Sequence, residues 1–415
     1  MVSSLTWIAH DRDEHDRVNR ILASLKQSEA RDELGLGAVR DSLADQLFPG
    51  TSTIQTRIRY FLIVPWCHQH IESRGVGHPR FAREVEKLER DLIAPLLDHE
   101  DVAGVFGRVT GRAVKRLPSS VYWAGLAAWK IRKQDLSQSA YARQIDQFYA
   151  RRKAVDSKDD GEATRDPYAT MWDPDLPKPP ADFPERLDLN LTHLEAEFLR
   201  DRIHAAHRHS MLSRLAIAPT LAPLDEIDFP WDYPTVNQFS PGLREILNHA
   251  QMLSEIMWGA ALLYNWMLSR LPAPEETRDR LDEIEAARAA DLTQWREGIL
   301  IGTGGLERLA SWDLVRLREF CRHPGHKVTD RTWKFLRTWR ERVLLTKGQV
   351  EQDQTACELI RQRELDMKRK RGRSRFKNDS LRAIWNGSAG TGRMRFRWNT
   401  VCQELLDLHD GLART

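Results

Sequence analysis

Cations interleaved with aromatic rings are the residues whose types and spacing point most directly to chemistry in this sequence. Lys368, Arg369, Lys370, Arg371, Arg373, Arg375 and Lys377 crowd around Phe376, and Arg393, Arg395 and Arg397 alternate with Phe396 and Trp398. Cations that neutralise phosphates, beside rings on which bases stack, are what nucleic-acid binding uses. In an extended run Arg395 and Arg397 share one side, with Phe396 and Trp398 on the other. The same pattern also fits a closing hairpin or helix in which both rings are core and the arginines form its wet face. Because the cluster is dense and local, binding of DNA or RNA is the leading reading.

Two other groups of residues invite chemistry. His204, His207 and His209 stand at i, i+3 and i+5, so only the first two share a helix face, and Asp201 or Glu197 would complete a carboxylate–histidine metal site. Arg200, Arg202 and Arg208 would repel a cation there, and a polar helix face is the simpler account; no metal site and no cofactor are assigned. His68, His70 and His78 form a weaker group, and the His-Asp pairs at 10–11, 15–16 and 409–410 have no matched remote ligands. The second group is the turn Gly50-Thr51-Ser52, where Thr51, Ser52 and Arg57 would hold an anion at a helix N-terminus. No Walker lysine follows it. The alternative is that Arg57 and Arg59 pair with acidic residues of the body, Asp32 or Asp41 for example. No nucleophile and base stand at a recognisable spacing, which favours a binding protein over an enzyme.

The elements that must position these residues are helical. After the Phe48-Pro49-Gly50 turn, Ser52 and Gln55 have capping-box spacing, and Ile54, Ile58, Phe61 and Leu62 make one stripe, which predicts a central core helix kinked or stopped at Pro65. Val18, Ile21, Leu22 and Leu25 make a second stripe, Val39, Leu43 and Leu47 a third, and Phe81, Val85, Leu88, Leu92 and Leu96 a fourth. Pro118 starts a further helix with Tyr122, Leu126 and Trp129 inward. Residues 151–183 are charged and Pro-rich and read as a linker or long surface loop, pinned by Met171-Trp172. Thr192 and Glu195 cap a helix through about Ala216, and a helix from Leu243 to Leu268 is the spine of the second half, with Gly259 allowing a close neighbour. Pro274 opens a long charged helix, and 312–345 read as helix, turn, helix.

These elements divide the chain into an N-terminal helical domain (1–155), a linker or long loop (156–190), a helical middle domain (191–326) and a small basic C-terminal module (327–415). The fold class is mainly α, multi-helix bundles. From Lys327 to Thr415 there are 21 Lys and Arg against 11 Asp and Glu, whereas residues 1–326 hold 42 against 49. An acidic body with a basic end suits a phosphate-bearing partner. Four scattered cysteines without a Cys-x-x-Cys pair suit a reducing compartment. The most apolar window, 250–268, contains Gln251, Glu255 and Asn265 and reads as buried helix, so neither a signal segment nor a membrane span is expected and the protein is placed in the cytoplasm.

The run Leu47-Phe48-Pro49-Gly50-Thr51-Ser52, followed by Ile54-Gln55-Thr56-Arg57-Ile58-Arg59-Tyr60-Phe61 and Pro65-Trp66, resembles the signature of an uncharacterised bacterial family of unknown function. The resemblance extends to Leu5-Thr6-Trp7-Ile8, Tyr122-Trp123, Leu191-Thr192 and His249-Ala250. It implies a place among antiviral defence genes, beside helicases and phospholipase-D-like nucleases, and supplies no catalytic residues. The expected function is therefore a non-enzymatic, nucleic-acid-binding component of a bacterial antiphage defence system whose helical body docks partner proteins. The alternatives are a metal-dependent nuclease or phosphohydrolase working at the His193–His209 face, and a structural adaptor that binds no nucleic acid.

Overall fold

The computed structural model describes residues 34–156, 169–322, 325–368 and 371–414. In chain order its helices are α1 (Gly37–Leu47), α2 (Tyr60–Ser73), α3 (Phe81–Asp91), α4 (Ile93–Leu97), α5 (Pro118–Ala128), α6 (Gln138–Asp156), α7 (His193–His207) and α8 (Met211–Ala216). They continue with α9 (Pro241–Ser269), α10 (Arg278–Gln294), a π-helix (Trp295–Ile301), α11 (Gly305–Ser311), α12 (Leu314–Phe320), α13 (Asp330–Thr346), α14 (Gln354–Met367), α15 (Asp379–Ala383) and α16 (Trp398–Ala413). Among the described residues there is no strand, only an isolated antiparallel bridge between Arg132 and Trp172. The fold is mainly α. The expected stripe at Val18, Ile21, Leu22 and Leu25 lies outside the described residues, as do the His-Asp pairs at 10–11 and 15–16.

Two compact units are each assembled from two stretches of chain: 44–247 with 397–415, and 1–43, of which 34–43 are described, with 248–396. The basic end up to Phe396 thus shares a unit with the greater part of α9, whereas Arg397 and Trp398 belong to the other.

In the unit formed by 44–247 and 397–415, α2 is the centre, and every residue from Tyr60 to His68 is buried. Phe61 stacks on Trp129 at 3.7 Å between ring centroids and meets Tyr122 edge-on at 5.0 Å. The helix starts at Tyr60, not at Ser52, because the N–H groups ahead of it go to side chains instead of a helical ladder. Ser52 N donates to Gln55 Oε1 (2.6 Å), Thr56 N to the Tyr122 hydroxyl (2.8 Å) and Ile58 N to Asp407 Oδ2 (3.2 Å). Ile54 consequently points outward, 43% exposed. Pro65 lies inside α2 without ending it, since burial on all sides outweighs one lost backbone bond. The capping box at Thr192 and Glu195 forms as expected, but α7 stops at His207 and Ser210 caps the separate α8. Leu194, in the first turn of α7, is exposed. Within the polar stretch, Met171 and Trp172 are fully buried, and Trp172 donates to Glu72 Oε1 at 2.9 Å.

In the other unit, from Asn248 onward, α9 is the spine. The indoles of Trp295 and Trp339 donate to the carbonyls of Glu255 and Ile256, each at 2.9 Å. The close neighbour that Gly259 admits is the Trp295 ring: a Cβ at this position would come within 2.2 Å of it. α13 buries Phe335, Leu336, Trp339 and Val343, packs beside α14, and begins at a Thr329 cap that accepts from Thr332 N.

Candidate nucleic-acid interface

The basic run is organised by one buried carboxylate. α14 begins at Asp353, whose side chain caps Thr355 N, and near its end places Glu364 with no exposure at all. Glu364 accepts from the Lys368 ammonium (2.7 Å), the Tyr264 hydroxyl (3.1 Å), Arg375 N (3.0 Å) and the Ser374 hydroxyl. A buried carboxylate is tolerable only when paired and hydrogen-bonded, and here its donors come mainly from the loop that follows. The preceding residue, Arg363, is also buried; it donates to the carbonyls of Leu34 (2.7 Å) and Gly35 (3.0 Å) and to the Thr332 hydroxyl (3.0 Å). The end of α14, the first turn of α13 and the loop residues Ser374 and Arg375 are therefore fastened together.

This arrangement separates the cations. Lys368 is spent on Glu364, and Arg375 is half-buried with its guanidinium on the Tyr264 hydroxyl at 3.2 Å. Arg373 and Lys377 are exposed and, among the described residues, have no carboxylate partner. Asn378 closes the loop by donating to Gly372 O (2.6 Å) and capping α15 through Leu381 N. Arg369 and Lys370 lie outside the described residues, and of Arg371 only the backbone, a 3-10 turn through Arg373, is described. Phe376 is half-buried, edge-on to Tyr264 and under the Arg361 guanidinium.

The second basic run goes elsewhere. Arg393 lies 4.0 Å from Glu255 and over the Trp258 ring, and Arg395 is half-buried. Phe396 is wholly buried, and Trp398 is buried with its indole on Ile227 O at 2.8 Å. Arg397 pairs with Asp45 and donates to Thr51 O at 2.7 Å. Neither ring offers a face to a base. The alternation of Arg with Phe and Trp here is that of core and wet face.

Of the anion turn, Thr51 bonds Phe48 O and the Ser52 hydroxyl has no partner among the described residues. Arg57 is buried between carboxylates, its Nε on Asp407 at 2.8–2.9 Å and its Nη1 on Asp101 at 2.7 Å. Arg59 pairs with Asp188 and Glu195. These are structural ion pairs, with partners other than Asp41, which binds Arg40, or Asp32, which lies outside the described residues. Carboxylates this close would oppose a bound anion.

The histidines of α7 are dispersed into the packing. His193 meets Leu412 O, His204 the Ser213 hydroxyl and His207 Ala128 O, each at 2.9–3.0 Å. Among the described residues no three His, Cys, Asp or Glu side chains are grouped to hold a metal ion.

The profile of a family described as Family of unknown function (DUF6361) matches residues 2–411. The chain belongs to this family. The DUF6361 match runs through both compact units and includes the basic end as far as residue 411. Comparison with curated proteins and with solved structures gives no match. Among the described residues no helix is long and apolar enough to cross a membrane.

One feature of this DUF6361 chain was not singled out from its sequence. Lys327, Arg331, Lys334 and Arg337 are exposed, the last three spaced i, i+3 and i+6 along α13, and none has a carboxylate partner among the described residues. The signal was a like-charge row at helical spacing, hidden within a chain that has 63 Lys and Arg.

Proposed function

We propose that this protein is a non-enzymatic, nucleic-acid-binding component of a multi-protein bacterial antiphage defence system, with its helical body docking partners such as a helicase or a phospholipase-D-like nuclease. The observation that carries the binding role is the loop 371–377: a buried Glu364 holds it at Ser374 and Arg375 while Arg373 and Lys377 stay exposed with no carboxylate partner among the described residues. A loop whose cations served only solubility would need no such anchor. The surplus of 21 cations over 11 acids from Lys327 onward supports the same reading. The defence setting is supported by the signature resemblance.

The test is fluorescence anisotropy of the full chain with labelled oligonucleotides at several salt concentrations. Binding should weaken steeply with salt, and the Arg373→Ala/Lys377→Ala variant should lower the log–log slope on duplex by about 0.9 for each lost phosphate contact. Weakening should be similar across unrelated sequences. An unchanged slope would make the loop a protein-docking or solvated surface.

A further inference from the structure

Trp333 stands apart among the described tryptophans. Nine of them, at 66, 123, 129, 172, 295, 312, 339, 385 and 398, donate an indole N–H to an acceptor within the protein. Trp231 stacks on Phe229, and Trp258 and Trp266 lie under arginine guanidinium groups. Among the described residues the Trp333 side chain has no hydrogen bond, ring neighbour or cation of this kind, and it is only half-buried. A tryptophan N–H usually finds a partner within the protein when it is buried, and a half-buried indole without one leaves its edge open to solvent or to a ligand.

Its neighbours on α13 are the unpaired cations. Trp333 and Arg337 are i and i+4, hence adjacent on the helix surface, and Lys334 and Arg331 continue the row. Like charges at this spacing destabilise a helix. Elsewhere in this unit arginines sit one turn from an acid: Arg278 with Asp282, Arg288 with Asp291, Arg316 with Glu319, Arg382 with Asp379. On α13 the one acid at the start, Asp330, is taken by Arg318, and Glu341 ends the row. Thr332, within the same turn, is bonded to Arg363, next to the Glu364 that anchors the basic loop. The two cationic elements are thus parts of one end of the unit.

We propose that the outward face of α13 is a contact for single-stranded nucleic acid, in which Trp333 stacks on an unpaired base while Arg331, Lys334 and Arg337 hold flanking phosphates. A base in a duplex has both faces covered by its neighbours, so a single stacking ring beside a cationic row suits a strand whose bases are free. This rests on reading the basic end as a nucleic-acid surface, and it assigns that surface a class of ligand and a stacking residue, a role that Phe396 and Trp398 cannot fill while buried.

The experiment uses the full chain and three labelled probes of equal length: oligo(dT), an abasic strand and a duplex, read by anisotropy across salt. The abasic strand keeps the phosphates and lacks the bases. The parent should prefer oligo(dT) over the abasic strand by roughly 5- to 150-fold, the range expected for one stacked base. Trp333→Ala should abolish that preference and leave the salt slope unchanged, and Trp333→Phe should retain most of it. Arg331→Ala/Lys334→Ala/Arg337→Ala should lower the slope on oligo(dT) by up to about 2. Equal binding of both strands by the parent, or an undiminished preference in Trp333→Ala, overturns the stacking assignment. If the parent in that case still binds all three probes salt-dependently, the proposed function stands without it; no binding to any probe at low salt removes both. Should Trp333→Ala fail to fold by circular dichroism, the parent's own comparison of the two strands and the Trp333→Phe variant decide.

Discussion

Buried carboxylates govern much of this protein at the scale of single residues. Glu364 is satisfied by donors from the loop it anchors, whereas neither oxygen of Glu404 has a hydrogen-bond partner among the described residues. Burial, reinforced by nearby Asp407 and opposed by Arg397, pushes the Glu404 carboxyl well above the usual range. Glu89 is a milder case: burial raises it to about 7 although Ser119 N and the Ser119 hydroxyl bond to it at 2.7 and 2.8 Å. A folded-state pKa above the unfolded value of 4.5 means that the native protein holds the proton more tightly. That stabilisation is fully present below pH 4.5 and is lost as pH rises to about 7. Glu89→Gln, which keeps the shape of the neutral acid, should remove this part of the pH dependence, on the order of 3 kcal/mol. Urea unfolding at pH 4.5 and pH 8 checks it, and parallel losses in parent and variant would show that Glu89 does not titrate in this window.

Among the elements, what was legible in the sequence is what local spacing determines. The Thr192–Glu195 box, the Pro118 start, the stripe from Phe81 to Leu96 and the long α9 all lie where periodicity and caps put them. The start of α2 was not legible, because the groups that capture its upstream N–H donors, Tyr122 and Asp407, are 66 and 349 residues away. The same holds for Arg57, whose partner Asp407 is 350 residues distant, and for Phe396 and Trp398, whose burial no alternation of cations and rings can reveal. The basic loop was found from composition, but its anchoring by Glu364 was not, since an isolated Glu near a helix end looks like any solvated acid. The centrality of α2 gives a direct expectation: Phe61→Ala removes a ring stacked at 3.7 Å on Trp129 and should cost roughly 3–5 kcal/mol. Chemical denaturation measures it, and a parent-like midpoint would mean that α2 is not the centre of its unit.

For the molecule as a whole, the distribution of charge decides which surface a polyanion can approach. Residues 1–326 carry 49 acids against 42 cations, so long-range electrostatics disfavour that part and favour the basic end. Within the basic end, exposed cations with no carboxylate partner among the described residues include Lys327, Arg331, Lys334 and Arg337 on and before α13, Lys347 just after it, and Arg373 and Lys377 on the loop. Photocrosslinking of the full chain to a bromodeoxyuridine-containing single strand, followed by peptide mapping, locates the contact directly. Salt-sensitive crosslinks are expected in peptides covering 327–338 and 371–377. Crosslinks confined to 44–247, or none at low salt, would contradict this reading.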